Sequence, residues 1–270
     1  MAATVRDSSA ASGRRGVRRT SVRFGRIHQL RAHQYVAEQI RRHIGLRLIP
    51  PGESLPSERE LAAMFGVGRP TVQHALRLLE ADRLVDTRRG RHGGTFVVRP
   101  SEDELVMDEL IARVARERDE LADLLVYRRA VEPAVARIAA ATRRRDDLRA
   151  MSRAAESAAR ADVEDEYMRH DTEFHLAVAA AARNRFLARA IEEVRVRLND
   201  AITLLPESDV WHRRIDEEHR AVIAAIEARD ERAAAEAMTV HVANTEQGIR
   251  AVLAAVGRRR VDTREIASLR

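Results

Sequence analysis

The 270 residues contain no cysteine, which excludes disulfides and thiolate metal sites and suits a reducing cytoplasm. Lysine is also missing, so all 48 basic side chains are arginine. Aromatic residues make up only 3%, and the apolar content is carried by alanine, leucine, valine and isoleucine, a palette that favours helices. No apolar run approaches the ~20 residues of a membrane span. The arginine-rich N-terminus lacks the apolar core of a secretory signal. These absences point to a soluble, cytoplasmic, mainly helical chain.

What is present is unevenly placed. Residues 1–100 carry 19 arginines against 8 acids, whereas residues 101–270 carry 29 against 34. A basic first third joined to an acidic remainder suggests a polyanion-binding module followed by a second domain. A genome biased toward arginine codons is the competing explanation.

The pattern divides the chain into an arm without hydrophobic periodicity (1–26), expected to stay disordered until it meets an anion, and a first domain (27–98). A linker (99–104), a helical second domain (105–256) and a frayed tail (257–270) follow. Within the first domain, the spacing predicts a helix ending near Ile44, a break at "IPPGESLP", and two short helices over Ser57–Phe65 and Pro70–Ala81. Two strands are expected within "LVDTRRGRHGGTFVV". Beyond the linker, breaks near Arg118, Arg143–Asp147, Ala161–Asp165, Arg183–Asn184, Pro206–Ser208 and Arg229–Asp230 imply an antiparallel bundle of six or seven helices.

Ser57 and Glu60 have the spacing of a capping box. "GVG" supplies a tight turn, and Pro70 suits the first turn of the next helix. With Val72, Ala75, Leu76 and Leu79 facing inward, that helix exposes Arg69, Thr71, Gln73, His74 and Arg77. Such a helix can enter a major groove, where arginine forks onto guanine and glutamine onto adenine. The strand pair places Arg88, Arg89, Arg91 and His92 at a glycine-rich tip able to reach phosphates or a minor groove.

With its "PG..LPSERELA" run followed by "GV.R..V", this segment resembles the winged helix-turn-helix of the GntR family of bacterial transcription regulators, over roughly residues 30–98. That resemblance implies Arg59 and Arg69 as principal DNA contacts, with His92 and Gly93 in the wing. One departure is clear: the family commonly has arginine four residues after the position of Arg69, where this chain has Gln73.

In the second domain, Asp171 and His175 lie one helical turn apart on a face that also carries Phe174 and Val178. His219 shares a stripe with Val222, Ile223 and Ile226, and His241 shares one with Met238 and Thr245. Any one of these histidines alone reads as a hydrogen-bonded core residue. Together, an acid and three imidazoles pointing inward must satisfy one another or share a cation, since each unsatisfied buried group costs ~1–3 kcal/mol. Imidazole and carboxylate are both good ligands for a divalent first-row ion. Arg128 interrupts another apolar stripe and needs an anion: either Glu132 one turn on, or the carboxylate of a ligand. The remaining histidines, at positions 28, 33, 43, 170 and 212, read as surface, and Trp211 as a packing or interface anchor.

"D…FH", "EHRAVIAAIEARD" and "MTVHV" resemble the all-helical FCD effector domain that accompanies the winged helix in the FadR subfamily. The metal-binding branch of that family uses one aspartate and three histidines. The matching positions are Asp171, His175, His219 and His241, which implies a divalent ion, zinc first, with nickel or manganese as alternatives. The resemblance also places Arg128 near the effector pocket. The expectation is a homodimeric repressor that reads a pseudo-palindromic double-stranded operator and responds to a small carboxylate. The competing readings are an acyl-CoA-responsive regulator without a metal and a metal-dependent hydrolase. The second lacks a convincing general base.

Overall fold

The computed structural model describes residues 31–90, 93–98, 111–205 and 209–268. The basic arm, the linker 99–104, Arg91 and His92 therefore lie outside the described residues. The first domain contains α1 (Ala32–Gly45), α2 (Glu58–Phe65) and α3 (Arg69–Ala81), followed by the antiparallel pair β1 (Val85–Arg88) and β2 (Gly94–Val97). Val85 pairs with Val97 and Arg88 with Gly94. Val36, Ile40, Leu61, Val72, Leu76, Leu79, Val85 and Val97 close a single small core. The capping box forms as its spacing predicts: the Glu60 amide donates to Ser57 Oγ, and the Ser57 amide donates to Glu60 Oε2 at 2.8 Å. Gly66 ends α2 at φ +64°, a conformation in which a side chain would be strained.

A helical stretch at 111–116 leads into α4 (Arg118–Thr142), α5 (Arg145–Ala159), α6 (Glu164–Ala181), α7 (Arg185–Ile202), α8 (Asp209–Glu227) and α9 (Glu231–Ser268). The breaks between them have local causes. Arg183 and Arg229 take left-handed backbone after α6 and α8. Asn184 then accepts the Phe186 and Leu187 amides, and Asp230 accepts the Ala233 amide, capping the following helices. The helical backbone of α9 runs through Ser268, across most of the segment expected as a tail, where no proline breaks it.

The bundle is lined by two apolar clusters. One is built on Met151, Phe174, Val178, Ile191, Val222, Ile226 and Met238, the other on Leu121, Leu125, Met168, Leu198, Ile215 and Ile249. Between these clusters lie fully buried polar groups from α4, α6, α7, α8 and α9.

The chain from Arg31 onward forms one contact unit, so the two domains expected from sequence share a seam, made by α1 and α7. Asn199 Nδ2 donates to the Gly45 carbonyl at 3.0 Å, Arg42 meets Glu192 at 2.8 Å, and Arg47 meets Asp200 at 3.3 Å. A Cβ added to Gly45 would lie 3.2 Å from Val196 Cγ1, so the absent side chain lets α1 close on α7. Among the described residues, no helix is long and apolar enough to cross a membrane.

Candidate metal centre and nucleic-acid interface

α6 brings Asp171 and His175 inward one turn apart, α8 brings His219 and α9 brings His241. All four residues are at most 5% exposed. One nitrogen from each histidine lies within 4.8 Å of the others. Asp171 Oδ1 is 3.4 Å from His219 Nε2 and 4.0 Å from His175 Nε2. The three histidines singled out in the sequence therefore come together, and Asp171 borders two of them, His219 and His175. A tetrahedral ion with bonds of ~2.1 Å has donor–donor edges of about 3.4 Å, so the three histidine nitrogens, within 4.8 Å of one another, would draw in by at most a little over ~1 Å.

Protonation strengthens the case for a cation. His175 Nδ1 lies 3.0 Å from Glu132 Oε2, and His241 Nδ1 lies 3.0 Å from Glu218 Oε2. A neutral imidazole has a single N–H, and a neighbouring carboxylate draws it to Nδ1. The two Nε2 atoms are then both lone-pair acceptors, yet they face one another at 3.2 Å. Two acceptors at that distance repel unless a proton or a metal ion lies between them. His219 is fully buried and stacks on Phe174 at 3.9 Å, and among the described residues it has no hydrogen-bond partner at either ring nitrogen. Buried nitrogens in that position are otherwise rare, and a shared ion accounts for one of the two. The donor set thus fits a divalent ion.

Burial, and then neighbouring His241, pushes the His219 imidazole well below its ordinary value. Burial, and then His175, brings His241 down to about 3. Both rings are therefore held neutral, the form that binds metal. Burial alone would raise the Asp171 carboxyl, but the Arg195 guanidinium and then the surrounding histidines hold it well below the usual range. Glu132 is likewise held low against the effect of its burial, chiefly by Arg128 and then His175.

Arg128 is fully buried and pairs through Nε with Glu132 Oε1 at 2.7 Å, the partner one turn away that the sequence offered. The pair is incomplete: among the described residues, both Nη atoms of Arg128 are buried without a hydrogen-bond partner. They border a cavity of about 20 Å³ lined by Arg128, Tyr167, Asp171, Arg195, Trp211 and His241, among others. Sequence reasoning missed Arg195. It is 1% exposed, donates to Asp171 Oδ2 at 2.5 Å, and reaches Thr172 Oγ1 at 3.2 Å. The signal was available, because Arg195 and Asn199 interrupt the inward stripe Ile191, Val194, Leu198 and Ile202 just as Arg128 interrupts its own. Glu218, which backs His241, was also missed.

Three of the histidines expected at the surface are engaged instead. His33 stacks on His74 at 3.8 Å, His170 bonds Glu173 at 2.8 Å, and His212 packs on Tyr167 at 4.3 Å. His170 and Glu173 are three apart on α6, a spacing the sequence itself shows, whereas His33 and His212 meet side chains of other helices, which no single-helix pattern reveals. His43 is exposed as expected, and His28 lies outside the described residues. Trp211 lines the cavity and lies under Arg214 at 4.6 Å.

On the first domain, α3 buries Val72, Ala75, Leu76 and Leu79 and leaves Arg69, Gln73, His74 and Arg77 exposed, with Thr71 half-buried. Arg59 is exposed on α2. Arg69 and Gln73 both reach Glu58 of α2, at 3.3 and 2.8 Å. In the wing, a Cβ at Gly93 would lie 2.5 Å from the Arg88 carbonyl oxygen. The turn itself thus demands glycine there, whatever Gly93 contributes to DNA contact.

Comparison with known proteins agrees with this architecture. Residues 32–97 match the bacterial regulatory proteins of the gntR family, and residues 123–244 match the FCD domain. RmpR of Mycobacterium gastri, described as an HTH-type transcriptional regulator, is 34% identical over 163 residues, 60% of this chain and 58% of that protein. The Uxu operon transcriptional regulator of Escherichia coli K12 is 31% identical over 225 residues, 80% of this chain and 86% of that one. A solved GntR structure from Streptococcus agalactiae is 26% identical with a TM-score of 0.42, covering 80% of this chain and 99% of that chain. With one segment matching the DNA-reading domain and the other the helical bundle, and with a relative of that identity aligned along most of both chains, this chain belongs to the GntR family of bacterial transcription regulators, in the branch that carries an FCD domain.

Proposed function

We propose that this regulator holds a divalent ion on Asp171, His175, His219 and His241 and uses that centre to sense a small carboxylate. The observation that carries the reading is the pair of imidazole Nε2 atoms facing each other at 3.2 Å, each with its Nδ1 beside a carboxylate. Zinc suits the donor set first, and nickel or manganese would also accept it. When bound, the ion supplies positive charge and an open coordination position.

Charge balance supports an anionic ligand. Around the cavity, Arg128 and Arg195 are offset by Glu132 and Asp171. A divalent ion leaves this buried space with excess positive charge, and a carboxylate neutralises it. The free Nη atoms of Arg128 give that carboxylate a bidentate partner. Acyl-CoA has no comparable support, because a cavity of about 20 Å³ bordered by two guanidiniums is not an acyl tunnel. The same small volume means that a ligand larger than a water or two must part the surrounding helices. A ligand that favours the parted arrangement shifts the equilibrium toward it. A coupling of ~1–3 kcal/mol would change operator affinity about 5–150-fold.

On DNA, two copies of the chain would place α3 in successive major grooves of a pseudo-palindrome, with Arg59, Arg69, Thr71, Gln73 and His74 facing the bases and backbone and the wing, including Arg91, His92 and Gly93, on its flank. Repression relieved by the ligand is the sign we propose. The test is elemental analysis with native mass spectrometry of the purified full-length protein. One ion per chain, lost in His219→Leu, supports the reading. Protein that neither copurifies with nor takes up a stoichiometric ion overturns the metal centre.

A further inference from the structure

Glu58 is the first residue of α2, and its Oε2 accepts both from Arg69 Nη2 at 3.3 Å and from Gln73 Nε2 at 2.8 Å. An acid in the first turn of a helix is favoured by the helix dipole. That accounts for a carboxylate at position 58, but not for its reach to two side chains of another helix. A negative charge on a face that approaches phosphates also costs affinity. Its benefit lies in what it does to Gln73. A glutamine amide has two ends of opposite character, an accepting Oε1 and a donating Nε2, and a half-turn exchanges them. An ionised carboxylate only accepts, so Glu58 tolerates only Nε2 on its side and leaves the accepting Oε1, with the second Nε2 hydrogen beside it, for the groove.

We propose that Glu58 is a specificity-determining positioning residue. It fixes the polarity of Gln73 so that this side chain selects bases offering an exocyclic amine in the major groove, adenine and cytosine, over guanine and thymine. Guanine presents acceptors at O6 and N7 and thymine at O4, and these would confront the Gln73 oxygen. Arg69 shares the same carboxylate oxygen, which neutralises Glu58 and locks the two base-facing side chains to one reference point. The inference rests on the reading that α3 enters the groove with Gln73 facing the bases.

The test is binding-site selection from a randomised duplex library, using the full-length chain as wild type, Glu58→Gln, Gln73→Ala and the double variant. Glu58→Gln keeps the size of the side chain, but its amide can meet either end of Gln73. The expected result is that wild type prefers adenine or cytosine about ten-fold or more at one position per half-site. Glu58→Gln should flatten that position to within about three-fold while the other positions keep their preferences. In the Gln73→Ala background, Glu58→Gln should change nothing further. The proposal is overturned if Glu58→Gln weakens binding uniformly and leaves the selected sequence intact. It is also overturned if Glu58→Gln still alters base preference without Gln73, because Glu58 would then touch a base itself. If Gln73→Ala changes no position, the reading of α3 at Gln73 fails and this inference fails with it.

Discussion

Replacing His219 by leucine should stabilise the metal-free protein and destabilise the metal-loaded one, a reversal of sign that an ordinary core histidine would not produce. Without an ion, both ring nitrogens of His219 are buried with no hydrogen-bond partner, and each such group costs ~1–3 kcal/mol. Leucine has similar bulk and no polar atoms, so it removes that cost. It also forfeits the stack on Phe174, worth ~0.5–1.5 kcal/mol. Counting one such group, because Asp171 Oδ1 lies 3.4 Å from the other nitrogen, the net expectation for chelated protein is a gain of about 1 kcal/mol. With zinc at 100 times Kd, the wild type gains about 2.7 kcal/mol, or roughly 5–10 °C in Tm for a domain of this size. The variant, missing one ligand, should gain much less. Thermal and urea melts of both proteins, after chelation and again with excess zinc, measure all four terms. The reasoning is refuted if His219→Leu costs more than ~1 kcal/mol in chelated protein while zinc stabilises both proteins equally.

The depressed imidazoles of His219 and His241 also set a pH window. Their folded values lie below that of an unfolded histidine, so on acidification the unfolded chain takes up protons first. The associated stability is present above about pH 7 and is lost as pH falls from ~6.5 toward the folded values. At ~1.4 kcal/mol per pH unit, His241 alone should cost chelated protein about 1.5–2 kcal/mol between pH 6.5 and 5, and His219 adds to the loss in the same direction. Urea melts across that range check this, and a flat profile contradicts it. Asp171 and Glu132 act lower: their depressed values make their contribution full above the ordinary carboxylate range and lost only below it. Arg195→Met leaves the Asp171 carboxylate buried without its guanidinium, which should destabilise chelated protein by ~3–5 kcal/mol, with zinc restoring a large share because Asp171 then serves as a ligand. Titration of the variant with zinc, followed by melting, measures the recovery, and no recovery argues against Asp171 as a ligand. Arg69→Ala should lower the ratio of operator to bulk-DNA affinity about ten-fold or more at fixed salt. A variant that weakens both kinds of DNA equally would show that Arg69 contacts phosphate alone.

Much of this was legible in the sequence, because a helix writes its buried face at regular spacing. Asp171 with His175, and separately His219 and His241, could each be assigned inward from the apolar residues on their own stripe. Four inward polar side chains on three helices have few ways to be satisfied except together. The capping box and the inner face of α3 were equally local. What could not be read were relationships between elements. Arg195 lies on α7 while its partner Asp171 lies on α6, and the contact joins residues 24 positions apart. The stacking of His33 on His74 and the reach of Glu58 to Gln73 likewise depend on how helices meet.

Arg195 and Asn199 sit one turn apart on α7, and a turn rises only ~5.4 Å. The first grips the aspartate of the proposed ion site, and the second holds the carbonyl that closes α1. In the proposed reading, a ligand that pulls Asp171 away from Arg195 disturbs α7 one turn from the point where it holds α1. The proposed sensing site and the seam with the first domain are thus adjacent notches on a single rod, so a displacement at one need not be relayed through the rest of the bundle to be felt at the other.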